Sequence, residues 1–403
     1  MSNDTATPES RPTIRLKPAA RKRHGAYESP WLFANDVQMN AEAKALAPGT
    51  VVRAETDTGK PLGAYFFNKH PLICARRLSP DPDAVIDTDF FVDRLRRAVA
   101  VRDKLIGTPY YRLAHAEGDG LPGTVIDRFG EVVVLQVNTA GMAAFQDVLL
   151  SALDAVVAPI AVVLRNDSPA RELERLPQEV RVAKGPVPAD LTVTENGAVF
   201  DIDPVNGQKT GWFFDQRDNR AFAARLAADA EVLDGYCFTG GFAVQAAMGG
   251  ARRVVGLDRS RPALDAAAAA AARNGVAERC HFAKADIFAD LPGRAQNGEA
   301  YDLVIMDPPA FVKSRKDVWQ GMKAYRKLAK LAAPLVRRNG TLLMCSCSHH
   351  VGPDTFAEQV RRGLADARRE GRVLRFAGAG VDHPVHPWLP ETSYLKALTL
   401  ALD

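Results

Sequence analysis

The sequence predicts an α/β fold: a helix-covered sheet of mostly parallel strands in the C-terminal half, preceded by a small α+β domain and an N-terminal β-barrel. Three observations lead there. From about Leu191 onward, strand-like runs alternate with helical stretches, the pattern of a parallel sheet with helices on both faces. Residues 13–80 hold short strand-like runs closely spaced by turn signals, which suits a small barrel. Residues 84–188 open on a long amphipathic pattern and continue as strand, turn and strand.

Residues 1–12 read as a polar, disordered tail. In the barrel, Thr13-Ile14-Arg15-Leu16 alternates with period two, and runs 31–33, 50–53, 64–67 and 72–74 follow, separated by Gly49, Gly59 and Pro61. The chain breaks at residues 79–83. A helix is predicted over 90–106, with Phe91, Leu95, Ala98 and Val99 on one side, then a strand over 131–137, a helix over 142–155 and a strand over 160–165. The Gly/Pro turn at 184–188 closes this domain, and residues 191–403 form the last one. Its strands are expected at 231–233, 253–257, 280–284, 303–306, 340–345 and 395–400. The arginines at 361, 362, 368, 369, 372 and 375 read as the solvated face of a helix.

The chain has 403 residues, 47% hydrophobic and 25% charged, an ordinary globular balance. A net charge of +4 does not by itself imply a nucleic-acid partner. Five cysteines, an odd number, show neither zinc-site nor disulfide-framework spacing. The polar N-terminus lacks a signal-peptide core, and no stretch reaches the roughly 20 apolar residues of a membrane helix. A cytoplasmic protein without a membrane partner is expected.

Candidate chemistry gathers at strand ends. Asp234-Gly235-Tyr236-Cys237-Phe238-Thr239-Gly240 joins a strand to a helix through a Gly-rich turn, a cofactor-cradle pattern that is weak when alone. Asp258 ends the next strand, where an acid accepts from ribose hydroxyls; a nicotinamide dehydrogenase fits this equally well. Asp286 after the third strand and Asp307-Pro308-Pro309-Ala310-Phe311 after the fourth discriminate. Glycines with three spaced acids look like a class I methyltransferase using S-adenosyl-L-methionine. Residues 206–217, with Gln208, Lys209 and Phe214, suit either a loop closing over a polar cofactor or a helix N-cap.

Met344-Cys345-Ser346-Cys347-Ser348 ends a further strand. A cysteine there can add to C6 of a pyrimidine and make C5 nucleophilic. The two thiols share one face of an ideal strand, and Cys347 lies nearer the crevice. His349 and His350 are adjacent and point apart, so no metal site is expected.

These residues resemble the bacterial large-subunit ribosomal RNA cytosine-C5 methyltransferases of the RlmI type. The most specific pieces are Gly207-Gln208-Lys209-Thr210-Gly211 with Asp215-Gln216-Arg217, Asp307-Pro308-Pro309-Ala310-Phe311, and Cys345-Ser346-Cys347-Ser348. The resemblance implies a PUA-type RNA-binding barrel, a small α+β domain and a Rossmann-like catalytic domain. It places S-adenosyl-L-methionine against Gln208, Lys209, Phe214, Asp234, Tyr236, Phe238, Gly240, Asp258, Asp286 and Asp307. It makes Cys347 the nucleophile and gives Pro308, Pro309 and Phe311 to the target base. Many RNA cytosine-C5 enzymes carry Pro-Cys where this chain has Pro309-Ala310, so Asp307 or a water is left to take the C5 proton. The implied partner is 23S ribosomal RNA or a large-subunit assembly intermediate. Phosphate contacts are expected from Lys313 and from a basic N-terminal cluster of Arg11, Arg15, Lys17, Arg21, Lys22 and Arg23. Relatives with a PUA domain imply a homodimer, although the sequence shows no interface signature. Two other readings stand beside this one: a methyltransferase of another RNA position or an amino group that needs no cysteine, and a noncatalytic RNA-binding factor on the same fold.

Overall fold

Seven strands build the sheet that the C-terminal alternation predicts. We number them β1 (Glu231–Gly235), β2 (Arg253–Asp258), β3 (Cys280–Lys284), β4 (Tyr301–Met306), β5 (Val336–Ser346), β6 (Gly371–Ala377) and β7 (Lys396–Leu402). Their order is β3-β2-β1-β4-β5-β7-β6. The first five pair in parallel; β7 runs antiparallel to both β5 and β6. Gly235 is in register with Leu257 on one side and Met306 on the other, so β1, β2 and β4 end level. The order reverses between β1 and β4, where open α/β sheets form their ligand crevice. Near-continuous apolar runs such as Leu303-Val304-Ile305-Met306 suit strands covered on both faces, and all four are buried.

The computed structural model describes residues 11–22, 29–207 and 210–403. The sheet belongs to one of two compact units, formed by Thr192–Asp201, Phe213–Gly380 and Glu391–Asp403. The other unit comprises the chain up to Leu191 with Ile202–Trp212 and Val381–Pro390. Those last two stretches were expected in the C-terminal domain, and buried polar bonds account for the difference. Asp382 is fully buried, accepts from the Arg112 amide at 3.0 Å and meets His383 Nδ1 at 2.8 Å; its carbonyl accepts from Arg102 at 2.9 Å. Arg165 donates to the carbonyls of Pro204 and Gly207.

Within that unit, the N-terminal sheet orders its strands as Thr13–Arg15, Thr50–Glu55, Pro61–Phe67, Ile73–Ser79 and Trp31–Phe33 around Ile14, Leu32, Val52, Tyr65 and Phe67. A Leu16–Val37 bridge links the chain just beyond the two edge strands. A second five-stranded sheet carries the helices Thr88–Ile106 and Gln146–Val157. The two sheets share a core: Val51, Ala64, Phe66 and Leu78 are buried with Phe91, Leu95, Tyr111 and Leu149. The helix expected over 142–155 is broken at Phe145, whose ring is drawn to Phe66 (5.5 Å) and Phe91 (6.0 Å). A side chain at Gly141 would lie 2.0 Å from Phe66, so only glycine permits that approach.

The expected tail ends earlier than residue 12. Arg11 is buried and donates to the carbonyls of Pro82 and Ala84. Arg15 pairs with Glu55 and Lys17 binds the Asn35 carbonyl, so three members of the basic N-terminal cluster have partners inside the protein. Arg21 and Lys22 end the short helix Pro18–Lys22, and Arg23 lies outside the described residues. The arginine-rich helix face also resolves differently. Arg361 and Arg362 lie in the helix Pro353–Asp366, both paired with Glu358, but Arg372 and Arg375 lie on β6. This strand is at the sheet edge with Val373, Leu374 and Phe376 exposed, so it lacks the apolar alternation that would mark it.

Candidate active site

The turn after β1 is shaped from within. Tyr236 and Phe238 adopt left-handed backbone angles (φ 64° and 49°), as does Gly240 (φ 82°) immediately before the helix Gly241–Met248. Such angles at non-glycine residues cost about 1–3 kcal/mol and concentrate at ligand sites. Asp258 holds the turn, accepting from the Phe238 amide at 3.0 Å through one oxygen and from the Ser260 amide at 2.8 Å through the other. Gly235 serves packing, because a Cβ there would sit 2.6 Å from Met306 Sδ. The ring of Phe213, absent from the sequence-derived set, meets Phe238 edge-on at 5.5 Å.

Asp234 is fully buried, and neither carboxylate oxygen has a hydrogen-bond partner of good geometry, although the Ala243 amide favours its anion. Burial, reinforced by the nearby Asp307 charge, pushes the Asp234 carboxyl well above the usual range. Asp307 accepts from Gln216 Nε2 at 3.0 Å, Gln216 Oε1 accepts from Asn219, and Asn219 Oδ1 accepts from Arg375 at 2.7 Å. A buried acid without partners is costly unless a ligand completes it. S-adenosyl-L-methionine, with its sulfonium and ammonium charges, fits that need. Asp234, the Tyr236–Gly240 turn and Asp307 are the residues that would hold it. Asp286 is exposed, caps the helix Ile287–Gln296 through the Ala289 amide and lies 3.4 Å from Arg259. Phe214 is fully buried with the Arg217 guanidinium 5.3 Å from its ring, and Gln208 and Lys209 lie outside the described residues.

The structure separates the two thiols. Cys345 is fully buried, and burial pushes its thiol well up. Cys347 is half-buried beyond the end of β5, with Sγ 4.0 Å from the Pro308 carbonyl. The flanking serines explain the Ser-Cys-Ser pattern. Ser346 and Ser348 are both fully buried. Ser348 Oγ accepts from the Val312 amide at 3.1 Å and bonds the Tyr325 hydroxyl at 2.8 Å. This one side chain ties the loop carrying Asp307-Pro308-Pro309 to the loop carrying Cys347. Pro308 is buried, Pro309 is exposed, and Phe311 is half-buried between Tyr325 (4.8 Å) and Phe288 (5.8 Å). Lys313 is exposed.

Lys396 completes the clamp. It is buried at the start of β7, in register with Ser346, and donates to the carbonyls of Ser348 and Tyr394, both at 2.7 Å. Burial pushes its pKa down to about 8, while the Cys347 charge acts in the opposite direction. The sequence signal for it was a lone lysine opening an otherwise apolar strand; that for Tyr325 and Asn219 was absent, since both are polar residues on ordinary amphipathic helices. Replacing Ser348 with alanine is expected to cost about 1–3 kcal/mol, because the buried Val312 amide loses its acceptor; thermal denaturation measures it. No group of three His, Cys, Asp or Glu is placed to hold a metal among the described residues.

Strand order, the acids closing β1 and β4, and a turn built for a nucleoside cofactor define a Rossmann-like methyltransferase. Comparison with known proteins agrees. Residues 182–400 match the family model of S-adenosylmethionine-dependent methyltransferases, and residues 14–80 match that of PUA-like domains. A ribosomal RNA large subunit methyltransferase I of Photobacterium profundum is 36% identical over 381 residues, covering 93% of this chain and 94% of that protein. One from Shewanella amazonensis is 35% identical, covering 96% and 98%. A Streptococcus mutans protein described as SAM-dependent methyltransferase shares the fold at TM-score 0.81 and 21% identity, covering 97% of this chain and 100% of its own. A similar structure, solved with SAH, superposes at TM-score 0.82 and 20% identity, covering 97% and 99%. The chain belongs to the family of these ribosomal RNA large subunit methyltransferases I, S-adenosylmethionine-dependent enzymes with an N-terminal PUA-like domain. Among the described residues, no helix is long and apolar enough to cross a membrane.

Proposed function

We propose that the protein methylates C5 of a cytidine in 23S ribosomal RNA, with Cys347 as the nucleophile. The observation that carries this reading is the half-buried Cys347 thiol at the ligand end of the sheet, clamped beside the Asp307-Pro308-Pro309 loop. The relatives named as ribosomal RNA large subunit methyltransferases support the substrate class.

In this reading Pro308, Pro309 and Phe311 seat the target base, and Lys313 meets the backbone of its strand. The Cys347 thiolate bonds to C6, and the electron pair of the C5–C6 double bond moves to make C5 nucleophilic. S-adenosyl-L-methionine supplies an electrophilic methyl group. Asp307, oriented by Gln216, or a water beside it takes the proton from methylated C5. The electrons of that C–H bond restore the C5–C6 double bond, and the bond between Cys347 Sγ and C6 breaks. In a folded RNA the base must first be swung out of its stack.

The test is incubation with labelled S-adenosyl-L-methionine and protein-free 23S RNA lacking the modification, followed by nucleoside mass spectrometry. Labelled 5-methylcytidine is the expected product. A methylated amino group instead would transfer the Asp307-Pro308-Pro309-Ala310-Phe311 loop to the cysteine-independent chemistry of planar amino groups.

A further inference from the structure

Immediately after the Asp307-Pro308-Pro309 loop, the chain concentrates positive charge that the protein does not use. Residues 313–332 contain one acid, Asp317, and its carboxylate is spent on Ser314, accepting from both its amide and its hydroxyl. Lys313, Arg315, Lys316, Lys323, Lys327 and Lys330 are all exposed, and none has an ion pair among the described residues. Arg361 and Arg362, by contrast, are paired with Glu358. Arg326, on the helix Val318–Ala332, is held by Asp366 through two bonds of 2.7 Å.

The helix Val318–Ala332 gives these charges a direction. It buries Gly321, Tyr325, Leu328, Ala329 and Ala332. At about 100° per residue, Trp319, Lys323, Lys327 and Lys330 share an arc of about 80° on the opposite side. Trp319 is 66% exposed, a large cost for the largest apolar side chain if nothing covers it. The Lys323 ammonium lies 4.8 Å from the Trp319 ring, and the Lys327 ammonium 5.2 Å from Phe288, which itself contacts Phe311. The stripe is therefore continuous with the ring that lies in the base-binding loop.

We propose that this face of the helix Val318–Ala332 is a track for the single-stranded RNA flanking the target base: Trp319 stacks on one nucleobase, and Lys323, Lys327 and Lys330 neutralise successive phosphates. The proposal rests on the reading of the protein as an RNA methyltransferase. An exposed aromatic platform among unpaired cations suits a polyanion with flat bases, because stacking tolerates any sequence while phosphate pairing supplies the affinity. An acidic protein surface would use the cations and leave the tryptophan without a partner of matching shape.

The experiment measures binding of the full chain to a short fluorescein-labelled single-stranded RNA of mixed sequence across a salt series. Trp319→Ala is expected to weaken binding about tenfold or more with an unchanged salt slope, and Trp319→Phe to recover most of it. The triple variant K323Q/K327Q/K330Q is expected to reduce the slope of log affinity against log salt by about 2, at roughly 0.7 per phosphate on a single strand. Wild-type affinity and slope in both variants would overturn the track. So would intact RNA binding alongside lost binding to ribosomal particles, which would assign the face to a protein. The two readings fail separately. If the wild-type chain methylates 23S RNA while the variants keep its affinity and slope, only the track is wrong. If the variants behave as expected and no RNA is methylated, only the function is.

Discussion

Replacing Cys347 with alanine is expected to lower methyl transfer by at least about three orders of magnitude, the scale seen when a covalent nucleophile is removed. Binding of S-adenosyl-L-methionine should stay near wild type, because the residues that would hold it lie on the turn after β1 and the loop after β4. Cys345→Ala is the paired control. Its sulfur is fully buried in β5 beside Gln216 and Asp307 with the thiol pushed up, so it is not placed to attack a base. That variant should lose about 1 kcal/mol of stability, the scale of a small buried group, and keep its chemistry. Single-turnover rates and calorimetric binding on both proteins decide the matter. Normal turnover in Cys347→Ala would remove the covalent route altogether, and equal losses of rate and cofactor affinity would show that the residue supports the pocket instead.

Lys396→Met is expected to lower kcat by one to two orders of magnitude. The variant removes two charge-assisted bonds, to the Ser348 and Tyr394 carbonyls, each worth about 1.5–3 kcal/mol. The pH profile separates this role from simple support. With the Lys396 pKa pushed to about 8, the ammonium is present below that pH, where it favours a thiolate on Cys347, and is lost above it. Wild-type kcat should therefore fall as pH rises through about 8, and Lys396→Met should lack that limb. Burial pushes both Cys345 and Tyr325, which face this cluster, upward and away from that range. The stability term has the opposite dependence. A lysine whose folded pKa lies below its ordinary 10.5 costs stability fully below about pH 8, and the cost fades as pH rises toward 10.5. Relative to wild type, the variant should accordingly melt earlier at pH 9 than at pH 7. An unchanged profile with a lowered kcat would leave Lys396 a structural prop only.

Much of the sheet was legible because its strands are buried on both faces. Runs such as Leu303-Val304-Ile305-Met306 carry no competing signal, and the acids stand where those runs stop. β6 was not legible: its exposed apolar residues and arginines obey neither strand nor helix periodicity, as an edge strand need not. In the site, the sequence points to Cys347 but not to its restraints. Ser348, Tyr325 and Lys396 come from a strand end, a helix and another strand, and only tertiary contact shows that they act on one loop. The Gln216–Asn219–Arg375 series behind Asp307 is invisible for the same reason, since its last member lies more than a hundred residues from its first. The basic N-terminal cluster divides by its partners. The PUA-type resemblance gave it weight, and Arg11, Arg15 and Lys17 have carbonyl and carboxylate partners within the protein that the sequence does not reveal.

The interleaving of the two units bears on how this architecture can be cut and recombined. A fragment spanning residues 191–403 would carry away Val381–Pro390, which belongs to the other unit. Asp382 and His383, buried there, would be turned out into water, and Arg102 and the Arg112 amide would lose acceptors inside the piece left behind. The N-terminal unit is completed by sequence encoded after six of the seven strands of the catalytic sheet. A unit built in this way, with its PUA-like domain, cannot be exchanged as a cassette at a single gene junction. Shuffling it onto another methyltransferase requires transplanting three separate stretches together, which ties the inheritance of this unit to that of the enzyme that carries it.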